Sequence, residues 1–129
     1  MNSKYLLLIA GLVLMAAPAW AQNSGEGKKL YDSYCSTCHG DKGKGNGPAA
    51  QSLPAKPADH TNGAVMNVMS EQFLLDIISK GGSAVKKSSF MPSWGSALNE
   101  KQIKDIVAYI RTLAEPPYKP EANAKTGAK

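Results

Sequence analysis

Cysteine and histidine each occur only twice in the 129 residues. That scarcity excludes a scaffold stapled by several disulfides, and a four-ligand zinc site made of Cys and His alone would take both histidines. Aromatics are sparse too, at 7% of the chain, and no basic stripe is interleaved with them. Nucleic acid is therefore set aside as a partner. Acidic residues number ten against fifteen Lys and Arg, a formal charge of +5. So modest a basic balance fits an acidic protein surface better than a polyanion. Alternating strand patterns are missing, and no internal repeat is visible. Beyond the first 21 residues there is no apolar run near the roughly 20 residues that a membrane span needs.

What is present begins with export. Lys4 gives a short positive start, residues 5–15 are apolar, and Ala19-Trp20-Ala21 supplies small residues at a cleavage site. Residues 1–21 are read as a signal peptide and the protein is placed in the periplasm. The rest, about a hundred residues, suffices for one small domain. Residues 22–115 are taken as that domain, and residues 116–129, rich in Lys, Ala, Gly and Pro, as a flexible polar tail.

Both cysteines fall in one motif, Cys35-Ser36-Thr37-Cys38-His39. The pattern C-x-x-C-H reads as covalent haem attachment. Two thiols one short turn apart can each add to a vinyl group of one porphyrin, and the adjacent His39 is then held beneath the iron as an axial ligand. Three other readings compete. A thioredoxin-like redox pair needs a βαβ setting that the chain does not show. A zinc site normally wants four ligands, and beyond these three only His60 remains as a Cys/His donor; an exported protein could also simply oxidise the pair to a disulfide. Haem has a further physical attraction, since the hydrophobic complement outside the signal is thin and a buried porphyrin would add apolar surface at about 25 cal/mol per Å².

Three helices are legible. Ser24 is a candidate N-cap for a first helix carrying Leu30, Tyr31 and Tyr34 into the cysteine motif. Residues 40–57 alternate Gly43, Gly45 and Gly47 among Lys and Pro and read as loop. With no preceding strand and no following G-K-S/T, they are not a phosphate loop. Ser70 caps a second helix over 71–80, with Phe73, Leu74, Ile77 and Ile78 inward and Gly81-Gly82 ending it. Asn99 and Gln102 form a capping box for the last helix, whose stripe is Ile103, Ile106, Val107, Ile110 and Leu113, and Pro116-Pro117 stops it. Between these helices, residues 83–97 read as irregular and carry Phe90-Met91-Pro92.

Taken in order, Gly27 with Tyr31, the motif from Cys35 to Gly40, Met91-Pro92 and Val107-Ala108-Tyr109-Ile110-Arg111 resemble the monohaem class I c-type cytochromes over residues 27–113. The resemblance implies an all-α fold of three to four helices and loops wrapped around one covalently bound haem c, with the N- and C-terminal helices crossing. It also implies that Gly27 is small so that Tyr109 can pack on its backbone, and that the Pro48 carbonyl accepts a hydrogen bond from the His39 ring. For the second axial position Met66, Met69, Met91 and His60 are candidates. Met91 is preferred because Pro92 holds its backbone extended, as in the family. The other methionines are expected to pack in the core and His60 to be a partly exposed loop residue. Trp94 is either core or a donor to a haem propionate.

The function expected from these residues is electron transfer by a soluble periplasmic carrier, likened to the family's carriers, with Cys35, Cys38, His39 and Met91 binding the haem, and His39 and Met91 on the metal. No enzyme activity is expected. The carrier is expected to be a monomer that meets acidic redox partners through Lys42, Lys44, Lys86 and Lys87. Two alternatives stand beside it: a cytochrome subunit of a respiratory or periplasmic oxidoreductase complex, and a haem-based ligand binder in which Met91 lets go.

Overall fold

A computed structural model describes residues 21–120. The signal-peptide reading therefore lies outside the described residues save for Ala21, as does the tail from residue 121 onward. Among the described residues there are five α-helices and no strand: α1 (Ser24–Tyr34), α2 (Ser36–His39), α3 (Gly63–Met66), α4 (Glu71–Lys80) and α5 (Glu100–Leu113). Short 3₁₀ turns cover Ala50–Ser52 and Gly82–Val85. The all-α architecture agrees with the sequence, as does helical structure running into the cysteine motif; α3 and the 3₁₀ turns add to what the sequence pattern shows.

The caps show why the long helices begin where they do. Ser70 Oγ accepts from Phe73 N–H at 3.0 Å, and Gly81, at φ 85°, ends α4. At the start of α5, Gln102 N–H donates to Asn99 Oδ1 and Asn99 N–H to Gln102 Oε1, both at 2.9 Å, which is the reciprocal capping box. For α1 the cap is Asn23 rather than Ser24. Its Oδ1 accepts from Gly25 and Glu26 N–H at 3.0 and 3.1 Å, while its own N–H donates to Asp105 Oδ1 of α5 at 2.8 Å. Asn and Ser are about equal as caps, so a bond across the fold decides between them.

Helices α1 and α5 form the closest and most extensive helix pair in the fold. At their crossing a Cβ on Gly27 would lie 2.5 Å from the Asp105 carbonyl carbon and closer still to its oxygen. The small residue is thus required by the α5 main chain itself. Tyr109 packs edge-on against Tyr31 of α1, with ring centroids 5.1 Å apart. Around the crossing Tyr31, Ile106 and Val107 are almost wholly buried, and Met66, Leu74, Ile78, Leu98, Ile103 and Ile110 complete the core.

Packed structure also runs past residue 115. Glu115 bridges to Asn62, through Gly63 N–H to Glu115 O and Glu115 N–H to Thr61 O, each at 2.9 Å. Asn67 Nδ2 donates to Pro116 O at 2.8 Å, and the Arg111 guanidinium sits 3.9 Å from the Tyr118 ring centroid. Arg111 also donates to Met66 O and Met69 O, both at 2.6 Å. The segment through Tyr118 is thereby fastened to the helical body.

Asp105 gives the crossing a pH dependence. Its side chain is 3% exposed and its Oδ2 lies 2.7 Å from Lys101 Nζ. Burial pushes the carboxyl up, but Lys101 and the Asn23 N–H outweigh it and hold the group below the ordinary carboxylate value. Because the folded pKa is depressed, the unfolded chain takes up the proton first as pH falls, so this stabilisation is present above pH ~4 and lost below it. Asp105→Asn should cost about 2 kcal/mol at pH 7 and flatten the acid limb below pH ~4. Urea unfolding from pH 7 to pH 2 measures both, and an unchanged acid limb would count against this role.

Candidate haem attachment site

The cysteine motif lies where α1 breaks. Cys35 caps the end of α1, its N–H donating to Tyr31 O at 2.8 Å, and its carbonyl accepts from His39 N–H at 2.9 Å and from Cys38 N–H at 3.2 Å. A single turn, α2, then separates the two thiols and ends on His39. Cys35 is buried and Cys38 half-buried, and neither is in a disulfide. Burial first, then Cys38, pushes the Cys35 thiol up to about 12. This is the opposite of the depressed pKa that a thioredoxin-like nucleophile requires. Among the described residues no cluster of three or more His, Cys, Asp or Glu is placed so as to hold a metal ion.

The glycine loop folds back over this turn. Gly45 N–H donates to His39 O at 2.7 Å, Gly47 N–H to Cys38 O at 3.0 Å and Ala49 N–H to Thr37 O at 2.9 Å. Gly43, Gly45 and Gly47 are buried while Lys42, Lys44 and Asn46 between them are exposed. Gly45 takes φ 70°, and a Cβ on it would strike the Pro57 carbonyl and lie 3.3 Å from the Ala58 carbonyl oxygen. Its lack of a side chain lets the Pro57-Ala58 peptide come in against the motif.

That approach sets the orientation of His39. His39 Nδ1 lies 3.1 Å from Ala58 O, so Nδ1–H donates there and Nε2 is left for a metal. Burial lowers the His39 pKa, with the Ala58 bond opposing it, which favours the neutral ring that a ligand must be. The acceptor is Ala58, not Pro48. Pro48 is exposed on the outer part of the loop, because the preceding glycines have turned their backbone onto α2. A carbonyl acceptor has no side-chain signature, so the sequence offered nothing to find it by.

His60 is a second correction. It is 7% exposed, not a partly exposed loop residue. Its ring stacks on His39 with centroids 4.3 Å apart at 17°, and its Nδ1 shares a 3.0 Å hydrogen bond with Tyr31 OH. Burial and then His39 press its pKa down to about 3, so the ring is neutral.

Met91 belongs to a loop tied to the end of α4. Gly82 N–H donates to Met91 O at 2.9 Å, Trp94 N–H to Ile78 O at 2.9 Å and Gly95 N–H to Ser79 O at 3.0 Å. Met91 is half-buried and packs on the core. Met66 is 2% exposed within that core, and Met69 is half-buried against it. Trp94 packs edge-on against Tyr34 with centroids 5.2 Å apart. Lys42, Lys44, Lys86 and Lys87 are all exposed. Two thiols just ahead of an oriented, neutral imidazole, with a thioether on a separately braced loop, are the donors that a haem c site needs. The residues fit the group.

Known proteins place this arrangement. Residues 22–110 match the family described as cytochrome C oxidase, cbb3-type, subunit III. The cbb3-type cytochrome c oxidase subunit FixP of Azorhizobium caulinodans is 32% identical over 98 residues, which are 76% of this chain and 30% of FixP. The chain thus spans about a third of the length of such oxidase-subunit relatives. A cytochrome c6 of Synechococcus sp. is 31% identical over 113 residues, covering 83% of this chain and 90% of the relative. The fold alone is shared with the KustC0563 c-type cytochrome, at TM-score 0.55 and 24% identity over 68% of this chain and 96% of that one. With its motif, its helix crossing and these relatives in agreement, the chain belongs to this cytochrome c family, as a monohaem class I c-type cytochrome that carries one covalently bound haem c.

Proposed function

We propose that the protein is a soluble periplasmic carrier of single electrons, in which Cys35 and Cys38 hold the haem as thioethers and His39 and Met91 ligate its iron. When bound, the haem supplies reversible one-electron iron chemistry. The residues do the rest. Cys35 and Cys38 fix the group to α2, Ala58 holds the His39 tautomer, and Met91 fills the position where an external ligand would enter. The carrying observation is the pairing of two cysteines outside any disulfide with a His39 ring whose Nδ1 is already engaged by Ala58 O. No side chain is assigned to substrate chemistry, and the exposed lysines suit an acidic redox partner.

The test is the optical spectrum and intact mass of the exported protein. A mass that matches residues 22–129 plus one haem, together with a weak far-red methionine-to-ferric-iron band, is the expected result. A c-type spectrum without that band would move the second ligand away from Met91, and a protein without haem would overturn the site. Rapid binding of carbon monoxide to the ferrous form at neutral pH would favour the ligand-binder alternative.

A second reading, a subunit held in an oxidase complex, is favoured by the relatives named as cbb3 oxidase subunits. Among the described residues no helix is long and apolar enough to cross a membrane. Co-purification with a membrane oxidase at high salt would select it, since a carrier steered by surface charge is released as salt screens the contact.

A further inference from the structure

The His39 ring is held by one hydrogen bond, and one is not enough to fix it. Nδ1–H to Ala58 O at 3.1 Å sets the tautomer and the direction of the ring edge. Rotation of an imidazole about its last torsion is broad and nearly two-fold, and a single 3.1 Å hydrogen bond restrains the plane of the ring only loosely. A face-to-face neighbour removes the freedom, and His60 is that neighbour, 4.3 Å away and within 17° of parallel.

His60 is in turn braced from three sides. Its backbone N–H donates to Gly43 O at 2.7 Å. A Cβ on Gly43 would lie 3.2 Å from the His60 Cβ, so the bare glycine gives the side chain room. Its Nδ1 is tied to Tyr31 OH at 3.0 Å. Tyr31 itself is fully buried and lies edge-on to Tyr109 at 5.1 Å, beside the point where α1 and α5 meet. An unbroken chain of contacts therefore leads from the tightest part of the core to the face of His39.

We propose that His60, locked by Tyr31, is a positioning residue that sets the plane of the His39 ring and through it the electronic state of the haem iron. The proposal rests on His39 being an axial ligand. It assigns His60 neither to the metal nor to electron transfer itself. An imidazole's orientation governs how its π electrons meet the iron orbitals, and outer partners of a ligating histidine tune the metal in this way. Burying a histidine where an aliphatic side chain would fill the same space has a desolvation cost, and the stacked, hydrogen-bonded placement gives that cost a function.

The experiment uses the holoprotein as wild type, His60→Leu, Tyr31→Phe and the double variant. The optical spectrum verifies ligation, the ferric paramagnetic resonance spectrum reads the spread of g values, and a redox titration gives the midpoint potential. His60→Leu is expected to keep the wild-type ligation bands while shifting both the g spread and the potential. Tyr31→Phe is expected to shift them in the same direction by less, and the double variant no further than His60→Leu, because Tyr31 acts through His60. Wild-type g values and potential in His60→Leu, even with a lowered melting temperature, would make its role structural and overturn the proposal, as would fully additive shifts. Should His60→Leu fail to fold, His60→Phe keeps a flat ring without the nitrogen and is expected to match Tyr31→Phe; identity with wild type would overturn the proposal. A wild-type protein lacking low-spin histidine ligation fails before any variant is compared, and overturns the ligand reading together with this one.

Discussion

Gly27→Ala should destabilise the holoprotein by about 3 kcal/mol or more, and Gly27→Val should leave little folded protein. On helix propensity alone the sign would be reversed, since alanine in a helix is favoured over glycine by about 1 kcal/mol. The geometry overrides propensity. A Cβ at residue 27 would sit 2.5 Å from the Asp105 carbonyl carbon and 3.1 Å from the Ile106 nitrogen, and neither can swing away, because both are main chain inside α5. The helices would have to separate, loosening Tyr31, Ile106, Val107 and Tyr109 together and pulling Asn23 from Asp105. Gly25→Ala, two residues earlier in the same helix at an exposed position, is the control and should change stability by less than about 1 kcal/mol. Urea unfolding followed by circular dichroism reads all three. Equal stabilities for Gly25→Ala and Gly27→Ala would mean that the α1–α5 crossing yields to a methyl group.

The contrast between what the sequence made legible and what it hid follows the range of the interactions involved. Ser70 and Gly81 bound α4, and Asn99 with Gln102 opens α5, through bonds that span only three or four residues. Such signals can be read without knowing the fold. Choosing Asn23 over Ser24 depends on Asp105, 82 residues away, and no local pattern carries that. Helix α3 and the two 3₁₀ turns are three or four residues long, too short for a period to show. At the site, Cys35, Cys38 and His39 announce themselves by side-chain chemistry. Ala58 acts through a carbonyl, and the burial of His60 depends on Gly43, Tyr31 and the loop between them. Both were invisible for the same reason: their roles are set by which backbone comes near, not by what they carry.

Met91→Ala should lower the midpoint potential by on the order of hundreds of millivolts, since axial ligands as a class move haem potentials over roughly 0.8 V and a thioether favours the reduced iron. The same variant should lose the far-red band and bind carbon monoxide or imidazole rapidly. Its fold should survive, because the loop is tied by main-chain bonds that alanine retains: Met91 O to Gly82 N–H, Trp94 N–H to Ile78 O and Gly95 N–H to Ser79 O. Removing the thioether therefore separates ligation from loop structure. Met66→Ala should do the reverse. Its side chain is 2% exposed in the core, so truncation should cost about 2–5 kcal/mol and leave the far-red band in place. If Met66→Ala instead removes the band while Met91→Ala keeps it, the second ligand is on α3 and the loop after α4 is only a cover. The band and the melting curve, recorded on both variants, decide between the two methionines without reference to any partner.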